Sequence, residues 1–250
     1  MPCLLLQHSK LVKTVEFTNP AYIGDPINAV RIYNEKEVDE LIFLDITATR
    51  ERSPPQLKTI FEIAAECFMP FTYGGGVRSL DYMAKILKIG VEKVAINSYA
   101  VEDSIFIEKA ADQFGSQAIV VSIDAKKGPR EYEVVTCDGT KPAGIDPVSH
   151  AKRMEELGAG EVLLTSIDRD GTMEGYDLDL IRMVSEAVSV PVVACGGAGS
   201  VEDMAKAVAS GASAVAAGSL VVYQGKNKGV LINFPSEEEL RTHNLIPREQ

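Results

Sequence analysis

The chain has 250 residues, 46% of them hydrophobic and 24% charged, with a formal net charge of −11. That balance is ordinary for a globular protein and excludes a disordered or fibrous one. No apolar run is long enough to span a membrane, no leader-like segment opens the chain, and an acidic protein without a Lys/Arg cluster is a poor match for nucleic acid. Cys3, Cys67, Cys137 and Cys195 form no CxxC pair and no zinc-type spacing with His8, His150 or His243. They are expected to be idle or buried thiols in a reducing cytoplasm, with no disulfide, metal or cofactor.

In chain order, short apolar runs fall at Pro2–Leu6, Leu41–Ile46, Phe71–Tyr73, Val94–Asn97, Ile119–Asp124, Val162–Ser166, Val192–Cys195 and Ala214–Ala217. They are nearly continuous rather than alternating. Strands buried on both faces require this, which points to a parallel sheet. Amphipathic segments with helix signals lie between them. Asp25-Pro26 and Asp146-Pro147 place a cap before a first-turn proline. Ser200–Asp203 and Ser236–Glu239 resemble capping boxes, and Gly90, Gly158 and Gly211 sit where helices should stop.

The spacing separates an open sheet from a closed one. Strand ends near residues 5, 45, 73, 97, 124, 166, 195 and 217 are separated by 40, 28, 24, 27, 42, 29 and 22 residues, so the series 40, 28, 24 returns as 42, 29, 22. A shift of 121 residues aligns Pro70–Ser98 with Pro191–Ser219 without gaps and gives 11 identities in 29 columns. Such a repeat means two homologous halves. Two copies of four βα units predict one (β/α)8 TIM barrel over residues 1–250, with half-barrels of about 1–123 and 124–250.

Chemistry in such barrels sits at the C-terminal ends of the strands. Gly74-Gly75-Gly76 follows strand 3, Asn97-Ser98 strand 4, Gly196-Gly197 strand 7 and Gly218-Ser219 strand 8. Glycine lets backbone N–H groups approach an anion, so the symmetric pairs predict two phosphate sites bridged by one ligand, with Lys13 and Arg78 as nearby cations. The alternative is that these glycines only make tight turns. Asp45 ends strand 2, and Asp124 ends the apolar strand 5. A carboxylate there is a candidate general acid or base. Leu5 falls opposite Asp124 in the first half, so the pair is a carboxylate facing a leucine. At the other mouth, Glu40, Lys93 and Glu161 precede strands 2, 4 and 6 and could form a salt-bridged ring.

The strings Phe43–Ala48, Gly74–Ser79, Phe114–Gln117, Ile123–Lys126, Leu157–Glu161, Asp168–Thr172 and Gly196–Gly199 resemble the cyclase subunit of imidazole glycerol phosphate synthase, the HisF family, over nearly the whole chain. The resemblance implies a HisH-like glutaminase docked on the N-terminal face. Ammonia would pass through the barrel to a bis-phosphorylated ligand at the other face. It places phosphate binding on Gly76, Asn97 and Ser98 at one end and on Asp170, Gly171, Gly197, Gly218 and Ser219 at the other. Catalytic or supporting roles fall on Asp124, Lys13, Asp45, Thr165 and Ser166, and an ammonia gate on Glu40, Lys93 and Glu161. The family's first catalytic aspartate falls on Leu5. Its gate arginine would precede Met1, which suggests a truncated or misassigned N-terminus.

The segments Lys10–Pro26 and Val230–Pro235 resemble HisF-like paralogues of surface-polysaccharide and nonulosonic-sugar loci. With a HisH-like glutaminase, these are thought to supply ammonia to a separate sugar-amidating enzyme. Three roles stay open: such an amidation subunit, a genuine cyclase of histidine biosynthesis in which another group covers for Leu5, and a non-catalytic scaffold that activates the glutaminase.

Overall fold

The computed structural model describes residues 1–225 and 228–246. Eight parallel strands form the barrel: β1 (Cys3–Gln7), β2 (Leu41–Asp45), β3 (Phe71–Gly74), β4 (Lys93–Ile96), β5 (Ile119–Lys127), β6 (Glu161–Ser166), β7 (Val192–Cys195) and β8 (Ala214–Ala216). Each pairs in register with the next, from Leu5 opposite Leu44 at the start to Cys195 opposite Ala216 at the end. Pro2 and Ala217 form the parallel bridge that closes the ring. There the Cys3 N–H donates to Ala217 O at 2.8 Å, and the Ala217 N–H donates to Met1 O at 3.0 Å. The fold is the (β/α)8 barrel that the spacing predicts.

The continuous apolar runs now have a cause. Successive strand residues point to opposite faces. Leu41, Phe43, Val94, Ile96, Val121, Ile123, Val162 and Leu164 pack outward in the large core shared with the helices. Ile42, Ala95, Val120, Leu163, Val193, Cys195, Ala216 and Cys3 form a separate cluster inside the barrel. Burying a large aliphatic side chain contributes about 1.5–3 kcal/mol, so both faces of each strand are held by the same effect.

The helix signals operate much as read. Asp25 accepts the N–H groups of Ile27 and Asn28, and Asp146 accepts that of Ser149, each ahead of a first-turn proline. Ser236 and Glu239 complete a capping box. Ser200 caps through the Asp203 N–H at 3.2 Å, but the return half differs. Asp203 Oδ2 accepts the Ser200 hydroxyl at 2.9 Å and the Gly199 N–H at 3.2 Å instead of the Ser200 N–H. A shorter aspartate replaces the usual Glu/Gln of the box.

Two long strand-to-helix connections are not plain loops. After β1, Lys10–Val15 turns back against it and pairs with Thr18–Gly24. After β5, Tyr132–Thr136 turns back in the same way. The 121-residue shift carries residues 10–15 onto 131–136, so the repeat extends into these hairpins. They account for the two long steps, 40 and 42, in the strand spacing. Among the described residues, no helix is long and apolar enough to cross a membrane.

Candidate functional site

The C-terminal strand ends open into a pocket of about 1240 Å3, counted out to its open mouth. Its wall carries Lys13, Asp45, Gly76, Asn97, Ser98, Asp124, Thr165, Asp170, Gly171, Gly197, Gly218 and Ser219. Leu5 and Leu44 line it as well. The sheet register makes Leu5 the counterpart of Asp124. Asp124 pairs with Thr165, Thr165 shifts by 121 onto Leu44, and Leu44 pairs with Leu5. Ser166, expected in the same group, is buried but is not among the pocket-lining residues. It follows Thr165 on one strand, and neighbouring strand residues face opposite ways.

Asp124 accepts a hydrogen bond from Asn97 Nδ2 at 2.8 Å. Burial raises its pKa to about 7, against the pull of the Asn97 contact, and the nearby carboxylates Asp138 and Asp170 push the same way as burial. A carboxyl poised there can hold or release a proton near neutral pH. Asp45 is committed locally: its Oδ1 accepts the Thr47 N–H at 2.9 Å, the Thr47 hydroxyl at 2.7 Å and the Ala48 N–H at 3.1 Å. It shapes the turn after β2 while lining the pocket.

Two ion pairs reach across the mouth. Lys13 Nζ, from the hairpin after β1, contacts Asp170 Oδ1 at 2.7 Å in the loop after β6. Thr14 Oγ1 donates to the other oxygen of Asp170 at 2.9 Å. Arg50, after β2, pairs with Asp138 in the hairpin after β5. The two pairs join repeat-related hairpins and loops through residues that are not themselves repeat mates: hairpin cation to loop acid in one case, hairpin acid to loop cation in the other. Arg78 also lines the pocket, but its guanidinium is paired with Glu102 and stacked over Tyr99, 5.1 Å from the ring centre.

Thr14, Arg50 and Asp138 were absent from the expected site. The two long strand-to-strand steps could have flagged the hairpins, although residues 131–138 and 10–17, which the shift superposes, share no identical residue. The repeat could not have flagged the individual contacts, because Asp138 shifts onto Phe17 and Arg50 onto Gly171.

Backbone geometry brings two of the pocket glycines close to neighbouring carbonyl oxygens. Gly197 has φ +110°, and an added Cβ would lie 2.2 Å from Gly175 O. Gly76 has φ +69°, and its Cβ would lie 2.8 Å from Ser53 O. Only glycine fits either place without movement.

At the opposite mouth the three predicted charges meet. Lys93 Nζ sits 2.9 Å from Glu40 Oε2 and 2.9 Å from Glu161 Oε2. Burial pulls the Lys93 pKa down, but its two carboxylate partners outweigh this and leave it raised. Between this triad and the pocket lies the apolar interior cluster of the barrel.

The family described as "Histidine biosynthesis protein" matches residues 1–228. Similar proteins include candidate imidazole glycerol phosphate synthase subunits. One, hisF2 of Pseudomonas aeruginosa, is 50% identical over 242 residues, covering 96% of each chain. Another, HisF of Leptospira interrogans, is 49% identical over 96% of this chain and 95% of its own. A third, hisF3 of Vibrio vulnificus, is 46% identical over 96% of this chain and 93% of its own. This chain belongs to the HisF family. In this HisF-family barrel, then, one mouth carries a carboxyl-bearing pocket and the other a charged triad.

Proposed function

We propose that this HisF-family protein is the barrel subunit of a glutamine-dependent amidotransferase, joined at its N-terminal face by a HisH-like glutaminase. Ammonia enters beside Glu40, Lys93 and Glu161, crosses the barrel and emerges at the pocket, where a phosphorylated small molecule binds. The observation that carries this reading is the Glu40–Lys93–Glu161 triad at the mouth opposite the pocket. Between them lie Ile42, Ala95, Val120, Leu163, Val193 and Ala216, the apolar cluster inside the barrel. Such a lining disfavours a charged ammonium ion and accepts neutral ammonia.

The pocket suits a phosphate at the end built by Gly171, Gly197, Gly218 and Ser219. The Ser219 hydroxyl is buried, belongs to a pocket-lining residue and has no hydrogen-bond partner among the described residues. Leu5 replaces the second carboxyl that paired acid–base chemistry would use. The protein therefore supplies ammonia to a separate enzyme that amidates a surface sugar instead of closing an imidazole ring. A genuine cyclase is the second reading, favoured by Asp124, whose pKa near neutrality suits proton transfer.

The test supplies ammonia and the bis-phosphorylated ribotide substrate of the cyclase. The expected result is no imidazole product from the native protein, with glutaminase binding that depends on Glu40, Lys93 and Glu161. Robust product formation would overturn the amidation role. A Leu5→Asp variant adds a further readout, since general acid–base help is worth about 10²–10⁴-fold. Cyclase activity appearing in it would show that the rest of the cyclase site is intact.

A further inference from the structure

The two ends of the pocket are repeat mates, yet their side chains are in different states. Ser98 shifts by 121 onto Ser219, and Asn97 onto Gly218. The buried Ser219 hydroxyl has no hydrogen-bond partner among the described residues. The Ser98 hydroxyl is fully engaged: it accepts the Cys137 N–H at 3.0 Å and donates to Asn97 Oδ1 at 3.3 Å. Asn97 in turn spends its amide on Asp124.

The charges differ too. At the Ser219 end, both oxygens of Asp170 are satisfied, by the buried Lys13 and by the Thr14 hydroxyl. Lys13 also lies against Gly218, where an added Cβ would meet its Cε at 2.9 Å. At the Ser98 end stands Asp138, whose side chain is 9% exposed, while that of its partner Arg50 is 58% exposed. Water screens an exposed cation, so Arg50 offsets Asp138 less completely than Lys13 offsets Asp170. Asp124 adds a second carboxyl at the same end.

We infer that the pocket takes a ligand with a phosphate at one end only. The Gly171, Gly197, Gly218 and Ser219 end receives that phosphate. The Asn97, Ser98 and Asp138 end faces hydrogen-bond donors of the ligand, hydroxyl or amine groups of a sugar, and repels a second phosphate. This rests on the phosphate reading of the Ser219 end and narrows its substrate class from bis-phosphates to monophosphates.

The experiment follows backbone amide signals by NMR during a titration with inorganic phosphate. Gly197 and Ser219 report one end, Gly76 and Ser98 the other. In the native protein, the first pair is expected to saturate at a phosphate concentration at least about tenfold lower than the second. Asp138→Ser should tighten the second pair about tenfold and leave the first unchanged, which also shows that the barrel remains folded. Equal saturation in the native protein, or a gap that survives Asp138→Ser, overturns this inference and leaves the phosphate reading standing. No shift at Gly197 and Ser219 overturns both. A second arm compares glucosamine 6-phosphate with glucose 6-phosphate. The amino sugar should bind the native protein severalfold more tightly, and Asp138→Ser should abolish that preference. Equal binding to the native protein overturns the donor-facing half of the inference.

Discussion

Replacing Asp124 with asparagine should make the protein relatively more stable as the pH rises. The Asp124 carboxyl has a folded pKa of about 7 against an ordinary value of 3.8, raised first by burial and then by Asp138 and Asp170. A raised carboxyl pKa means that the folded state holds a proton the unfolded chain releases. Stability is therefore unaffected below about pH 4, falls as the pH rises from there toward 7, and levels off above. A gap of roughly three units corresponds to a ceiling of about 4 kcal/mol. The side chain lines an open pocket, so screening by water lowers the expected effect to about 2 kcal/mol. In Asp124→Asn the amide has no charge to desolvate, and its oxygen can still accept from Asn97 Nδ2. Urea unfolding of both proteins at pH 4.5 and pH 8 measures the difference. Native stability should fall across that interval by about 2 kcal/mol more than that of the variant. Groups common to both, Asp138 included, cancel in the comparison to first order. Parallel pH profiles would refute the buried, proton-holding state of Asp124.

Lys93→Met should destabilise the barrel by about 1–3 kcal/mol, because it leaves Glu40 and Glu161 facing each other in a half-buried site. Thermal unfolding should show a loss that Glu40→Gln partly restores in the double variant. An additive double variant would mean that the three charges do not act as a unit. Gly197→Ala should abolish phosphate-dependent stabilisation and lower stability by about 1–3 kcal/mol, since a left-handed backbone and a 2.2 Å contact both oppose the added methyl. A thermal shift with phosphate equal to that of the native protein would refute the hollow at Gly197 as the anion site.

The architecture was legible because it is periodic. Strand runs, caps and the 121-residue repeat are local or translational patterns, and each survives reading along one dimension. Glu40, Lys93 and Glu161 were visible for the same reason: each immediately precedes or begins its strand segment, so a shared axial level follows from the barrel itself. The hairpins after β1 and β5 were hidden because they lengthen a connection without breaking its rhythm. Only the long strand-to-strand steps record them. Ser166 was misplaced because a strand end offers two faces, and the sequence alone does not say which of two adjacent polar residues turns inward.

Arg50 and Asp138 expose a limit of a different kind. Their pairing joins residues 88 positions apart, and neither residue has a chemical match at its repeat-related position. Lys13 with Asp170 and Arg50 with Asp138 solve the same mechanical problem, tying a hairpin to the loop across the mouth, with charges of opposite placement. A repeat preserves what the backbone requires, which is why Gly76 and Gly197 still match. It does not preserve the residues of a salt bridge: Lys13 and Asp170 shift onto Val134 and Thr49, Asp138 and Arg50 onto Phe17 and Gly171. Under the one-phosphate reading proposed above, the ligand would meet Lys13 at one end and Asp138 at the other. Backbone symmetry at Gly76 and Gly197 therefore sits beside unlike charges at the two pocket ends, and under the one-phosphate reading it is that unlikeness, together with Leu5 facing Asp124, that would distinguish this pocket from one built for two equal phosphates.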